Sequence, residues 1–297
     1  MTAPLGAVSH YSLLERLDPS GPGELYRARD TRLGRTVTVR LLPAGYRAAA
    51  PERAAFLERA RSLMTLSHPN VTALFDAGVH EERLYVVFEF LQGQSLRVEM
   101  SGGVMNVRRA VELGIQIADG VADAHAAGFV HGGLSPDSIL ITALGHAKIP
   151  AFELASRSGY EEAAGGLHDY DSPEEAMGGT PDERADIYSV GAVLYEMLAA
   201  RRPLHRGAAA PGASNRHVPA GLDAVVLSAV APNPASRQQS AATLAAELRG
   251  IIAGLDAGGG AGDEDDHDHE RGAHAGRAVL IAAAILLALG LLAWWAA

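Results

Sequence analysis

The sequence predicts an α+β fold: a small sheet-rich part, a larger helical part, and then a single membrane helix. Three observations carry this. Short β-branched runs at 36–42 and 84–90 flank one helical stretch at 51–66. From Asn106 onward, Val107, Ala110, Val111, Gly114, Ile115, Ile117, Ala118 and Val121 recur at three-to-four spacing, the period of a helix with one apolar face. Residues 278–297 contain no charged side chain.

The chain has 297 residues, enough for two lobes around a substantial core. A net charge of -10 argues against a nucleic-acid surface, and much of the excess lies at 263–270. The absence of cysteine excludes disulfides and thiolate metal sites. Residues 1–9 have no basic start followed by an apolar stretch, so no signal peptide is expected.

In chain order, the β-branched runs make a small sheet and 51–66 a helix packed on it. The periodic segment after Asn106 and the apolar segments 185–199 and 240–252 are the helices of the larger part. Residues 253–277 are rich in Gly, Asp and His and poor in large apolar residues, so they read as a flexible linker. His267, His269 and His274 stand there among carboxylates, but nothing would hold them in a fixed geometry, so no metal site is expected. As a helix, 278–297 would span about 30 Å, a bilayer core. Trp294 and Trp295 suit the far interface. Arg271 and Arg277 on the near side keep the preceding domain cytoplasmic. The expectation is a tail-anchored, single-pass protein of the inner cell membrane.

A series of motifs then appears in a fixed order. Residues 17–26 hold a turn-rich stretch ending in Gly23, and Val37-Thr38-Val39-Arg40 follows. Next come His68-Pro69-Asn70-Val71, a strand ending Phe88-Glu89-Phe90, and His131-Gly132-Gly133-Leu134-Ser135-Pro136-Asp137-Ser138. Ala151-Phe152-Glu153, Ser172-Pro173-Glu174, a segment opening on Asp186, and Arg237 complete the order. This set resembles the protein kinases, and most closely the bacterial eukaryotic-like Ser/Thr kinases. The resemblance covers 11–252. It implies a two-lobed protein kinase-like fold: a β-rich N-lobe carrying the αC helix, and a helical C-lobe.

Position by position, the resemblance implies a cleft with altered chemistry. Gly133 stands where the family keeps its catalytic Asp, Ser138 where it keeps the metal-holding Asn, and Ser135 where a Lys is usual. Ala151 replaces the metal-binding Asp, and Glu153 the glycine after it. Arg40 replaces the strand lysine, and Arg59 falls at the αC Glu position. Of the nucleotide-loop glycines only Gly23 remains, with Asp18 and Ser20 in place of the others. Leu17, Gly23, Leu25, Thr38, Arg40, Phe88, Glu89 and Leu140 match the nucleotide cleft, Phe88 being a bulky gatekeeper. Leu63, Leu74, His131 and Phe152 match the apolar stack crossing the lobes, Asp186 its anchor, and Glu174 with Arg237 a C-lobe ion pair.

The expectation drawn from these replacements is a catalytically inactive pseudokinase: not an enzyme, with no catalytic residue and no cofactor. ATP binding would be weak or absent, and magnesium-dependent binding is not expected. The protein would act as a membrane-anchored scaffold or allosteric partner of other signalling or envelope proteins, an active kinase among them, and not of nucleic acid. Asp18, Arg40, Arg59 and Glu153 either form an ion-pair cluster in place of the triphosphate or point separately into solvent. The alternatives are an atypical Ser/Thr kinase using non-standard residues and a nucleotide-binding switch.

Overall fold

The computed structural model describes residues 5–17, 23–47, 49–150, 169–204 and 207–259. The chain divides into two compact units, Met1–Arg249 and Gly250–Ala297. Of the second, the described residues are the last turns of one helix.

Strands β1 (Gly6–Val8), β2 (Tyr11–Leu17), β3 (Glu24–Asp30) and β4 (Thr36–Leu41) come first. Helix α1 (Ala50–Leu63), β5 (Leu74–His80) and β6 (Arg83–Glu89) follow. They form one antiparallel sheet in the order β1-β2-β3-β4-β6-β5. The pleat decides what each strand buries. Val37 and Val39 are fully buried in a cluster with Val8, Tyr11, Leu13, Ala28, Leu41, Tyr85 and Val87. Thr38, between the two valines, is half-buried and lies on the opposite face. The sheet curls until strands far apart in its order meet, and Tyr11 of β2 donates to Asp76 Oδ2 of β5 at 2.9 Å. Helix α1 buries only Phe56, Ala60 and Leu63, a stripe spaced four and three residues apart.

A second, three-stranded sheet joins β7 (Gly93–Ser95), β8 (Leu140–Thr142) and β9 (Ala147–Lys148). Around it lie α2 (Leu96–Glu99), α3 (Val107–Ala126), α4 (Pro173–Ala176), α5 (Glu183–Ala199), α6 (Ala220–Ala229) and α7 (Ala241–Gly259). Asn106 caps α3, its side chain accepting the Arg109 N–H at 3.2 Å. Asp182 caps α5 through the Arg184 N–H at 2.8 Å. Helix α5 is buried on nearly every side and forms the axis of the larger lobe. Gly191 lets α6 approach it, since a Cβ there would lie 2.6 Å from the Ala229 Cβ.

The expected strands and helices before residue 253 are present, with ends shifted by a few residues. Helix α1 stops at Leu63 rather than 66, and α7 runs on from 252 to Gly259. Among the described residues no helix is long and apolar enough to cross a membrane. The expected span 278–297 and the linker histidines lie outside the described residues.

Candidate active site

The loop 131–139 hangs from helix α5 by a single carboxylate. Asp186, with no exposed surface, accepts the His131 N–H at 2.7 Å and the Gly132 N–H at 2.8 Å. It also accepts the His125 Nε2–H at 2.8 Å. Three charge-assisted bonds to one buried group fix where the loop starts and how it turns. His131 is itself buried. The next turn closes on its own serines: the Ser138 hydroxyl donates to Ser135 O at 2.9 Å and accepts the Ser135 N–H at 3.1 Å. Gly133 is half-buried, and among the described residues a Cβ built on it would meet nothing within 4 Å. No described residue therefore crowds the position matched to the catalytic Asp.

Above this loop, the sheet register assembles one face of the cleft. Leu25 lies opposite Arg40, Arg40 opposite Val86, and Thr38 opposite Phe88. Leu17 pairs with Leu25 at the edge. Leu25, Thr38, Phe88 and Leu140 are all half-buried, as cleft-lining side chains are. Gly23 sits at φ +90, and a Cβ there would run into the Leu41 carbonyl, so only glycine permits this turn. Arg40 is 9 % exposed, and burial lowers its pKa from the ordinary arginine value. A guanidinium desolvated in this way gains from an anion placed beside it.

The expected four-charge cluster has two members, Asp18 and Glu153, outside the described residues. The Arg59 guanidinium packs over the Phe129 ring at 4.7 Å, a cation–π contact. Ala151 and Phe152 also lie outside the described residues. The other expected members of the lobe-crossing stack, Leu63 and Leu74, are buried at 3 % and 5 %. Glu174 and Arg237 pair as expected, at 2.6 and 2.7 Å through both carboxylate oxygens.

Three groupings were not anticipated from the sequence. Lys148 Nζ lies 2.7 and 3.0 Å from the two oxygens of Glu89. The signal was available, because Lys148 is the only lysine among the 25 basic residues of the chain. Arg97 of α2 reaches Asp137 of the loop at 3.2 Å, Glu196 of α5 at 2.8 Å, and the Tyr170 hydroxyl, which itself donates to Glu196. Asp137 is thus part of a structural ion pair. His125 is the third, an otherwise unremarkable histidine on an apolar helix face.

The protein kinase domain family matches residues 16–247. Serine/threonine-protein kinase PknB of Mycobacterium tuberculosis is 33 % identical over 273 residues, 84 % of this chain and 44 % of its own length. A probable serine/threonine-protein kinase of Streptomyces coelicolor is 31 % identical over 285 residues, 87 % of this chain and 42 % of its own. The chain therefore spans less than half the length of these curated relatives. Among solved structures, the kinase domain of Mycobacterium tuberculosis PknI superposes with a TM-score of 0.70 at 21 % identity, covering 85 % of this chain and 99 % of that one. That likeness shows the two-lobed fold.

These matches correct two expectations. The relatives are named Ser/Thr protein kinases, which are enzymes using ATP and magnesium, so neither the non-enzyme reading nor the expectation of no cofactor stands. The error was to pass from single motif positions to the activity of the whole. Phosphoryl transfer goes through a loose transition state with little covalent chemistry for the protein to do, so positioning and electrostatic stabilisation together carry the catalysis. By the match over 16–247 and the identity to its relatives, the chain belongs to the protein kinase domain family, among the bacterial Ser/Thr kinases.

Proposed function

We propose that the chain is an atypical, membrane-anchored Ser/Thr protein kinase that binds ATP in its cleft and transfers the terminal phosphoryl group with non-standard residues. The observation that carries this reading is the loop held by Asp186, in which no described residue lies within 4 Å of a Cβ at Gly133, where a substrate hydroxyl would enter. Leu25, Thr38, Phe88 and Leu140 would line the base, and Arg40 would neutralise the phosphates in the place of the strand lysine. Ser138 offers a hydroxyl oxygen at the position matched to the metal-holding residue, and magnesium would add charge neutralisation when bound with the nucleotide.

Without a carboxylate at 133, the proton of the attacking hydroxyl goes to a phosphate oxygen of ATP. The new O–P bond forms as the bond to the bridging oxygen breaks, and ADP leaves. A positioned general base usually contributes about 10²–10⁴ in rate, so the reaction is expected to be slow by that factor. The test is transfer of labelled phosphate from magnesium ATP to the chain or a generic protein substrate. Slow transfer above a heat-killed control, lost in Arg40→Ala, is expected. No transfer together with no melting shift on adding ATP would overturn the reading.

The membrane part rests on residues 278–297, which we assign as one span with the kinase domain on the cytoplasmic side. Its protein partners would then be signalling or envelope proteins at that membrane, an active kinase among them, and not nucleic acid.

A further inference from the structure

Arg97 sits where the walls of a small acidic site converge. Helix α2 is clipped to the loop by two backbone bonds, from the Leu96 N–H to Ile139 O at 2.8 Å and from the Arg97 N–H to Pro136 O at 2.9 Å. The Arg97 Nε–H donates to Asp137 Oδ2 at 3.2 Å, and one Nη donates to Glu196 Oε1 at 2.8 Å. The other Nη donates to Asp137 Oδ2 at 3.2 Å and to the Tyr170 hydroxyl, which donates in turn to the second oxygen of Glu196. Two carboxylates and a phenol, from three separate segments, thus close on one guanidinium. Its planar fork suits such a pair of acids better than a compact ammonium would. Burial alone would lower the Arg97 pKa, but the bonds to Tyr170, Asp137 and Glu196 hold it above the ordinary arginine value.

We infer that Arg97 determines substrate specificity: its own guanidinium fills a cation subsite made by Asp137, Glu196 and Tyr170, so the chain takes acceptor segments that carry no arginine or lysine there. Asp137 lies four residues beyond Gly133 on the same loop. A segment laid across the loop with its hydroxyl at Gly133 therefore brings a neighbouring side chain to this site. The Glu196 side chain is 14 % exposed and Tyr170 is buried, so a substrate cation reaches them only through the place Arg97 holds. Asp137 is more open, but Arg97 Nε already engages both of its oxygens. Arg97 is tethered, so it competes at an effective concentration of about millimolar or higher, which a dilute substrate arginine does not match. At 37 % exposure its side chain borders solvent, so its removal leaves a site open to solutes.

The inference rests on the kinase reading for its consequence in substrate choice, and two measurements on the full chain separate the two. Arg97→Ala vacates the subsite and leaves its acids. Millimolar ethylguanidinium should then raise the melting temperature of Arg97→Ala by about 2–4 °C. It should leave the wild type unmoved, and also the double variant that adds Glu196→Gln. The second measurement uses serine peptides that carry arginine or alanine at each position flanking the serine. The wild type should give the two kinds the same KM. Arg97→Ala should lower the KM of one arginine peptide about tenfold or more with kcat little changed, and ethylguanidinium should abolish the gain. Asp137→Asn should leave the arginine-to-alanine KM ratio as in the wild type, which keeps the test open if Arg97→Ala does not fold. A wild type that already favours an arginine peptide would overturn the inference. So would a ratio that moves with Asp137→Asn, no gain in Arg97→Ala, or ethylguanidinium acting alike on wild type and Arg97→Ala. Failure of the wild type to phosphorylate any peptide would overturn the kinase reading alone, with the ethylguanidinium arm still deciding the subsite.

Discussion

Replacing Glu174 with alanine strands a charge in the larger lobe, and its cost can be worked from the contacts around Arg237. The Arg237 side chain has no exposed surface, whereas that of Glu174 is 24 % exposed. Besides the two bonds to Glu174, the guanidinium donates to Ala231 O and Arg184 O at 2.8 Å and to Pro232 O at 3.2 Å, and it lies 5.0 Å from the Tyr188 ring centroid. After Glu174→Ala those carbonyls remain, so several N–H groups stay satisfied, but no counter-charge does. Breaking a buried pair from one side costs about 3–5 kcal/mol. The partial exposure of Glu174 and the surviving carbonyls place this case near the lower end, about 3 kcal/mol. For a domain of this size that is a fall in Tm of about 6–12 °C.

Differential scanning calorimetry on Glu174→Ala, Arg237→Ala and the double variant would read it. The double variant should lose clearly less than the sum of the singles, because the second deletion removes the stranded partner. The pH dependence has a definite sign. Burial pushes the Glu174 carboxyl up, but the hydrogen bonds and charge of Arg237 outweigh it and hold the pKa below its ordinary value. A lowered folded pKa means the stabilisation is present above the unfolded value, about 4.3, and is lost as pH falls through the folded one. Glu174→Ala should therefore flatten the acid side of the stability profile and leave its shape near neutrality unchanged. A Tm within 2 °C of wild type, or strictly additive single effects, would refute the reasoning.

Further outcomes are expected at the loop, the cleft and the tail. Gly133→Asp should raise phosphate transfer by about 10²-fold or more, since the new Cβ meets no described residue within 4 Å and the carboxylate supplies the missing base; an unchanged rate in a folded variant would count against the role assigned to this position. Asp186→Asn should cost about 1.5–3 kcal/mol, because one carboxylate serves two loop amides and His125, and it should expose 131–138 to limited proteolysis. Gly23→Ala should lower stability by about 1–3 kcal/mol through the Leu41 clash, checked by urea denaturation. Deleting 278–297 should release the chain from alkali-washed membranes; a truncated form that stays behind would sink the span assignment.

Much of this fold was legible because its signals are local and repeated. The valines of β4 alternate with the pleat, and the apolar residues of α3 keep the helical period, so each element declared its type and its buried face. Glu174 and Arg237 were legible for a different reason: their neighbours carried a motif order that fixes which distant residues meet. Where no motif reached, pairing was illegible. Lys148 and Glu89 lie 59 residues apart, and nothing in either stretch announces the other. What the sequence did offer was an oddity of choice, one lysine in a chain that otherwise uses arginine.

The site was misread where residue type was taken for outcome. At Arg59 a family position tells where the backbone lies, while the contact its long side chain makes over the Phe129 ring depends on what surrounds it. Gly133 was read as a loss because the matching residue bears the base. In the folded loop no described residue crowds this glycine, and its neighbour Gly132 is held by the Asp186 carboxylate of helix α5. Losing a side chain from a rigid frame removes one rate factor and leaves the binding geometry. The fold therefore remains compatible with the phosphoryl transfer for which its relatives are named.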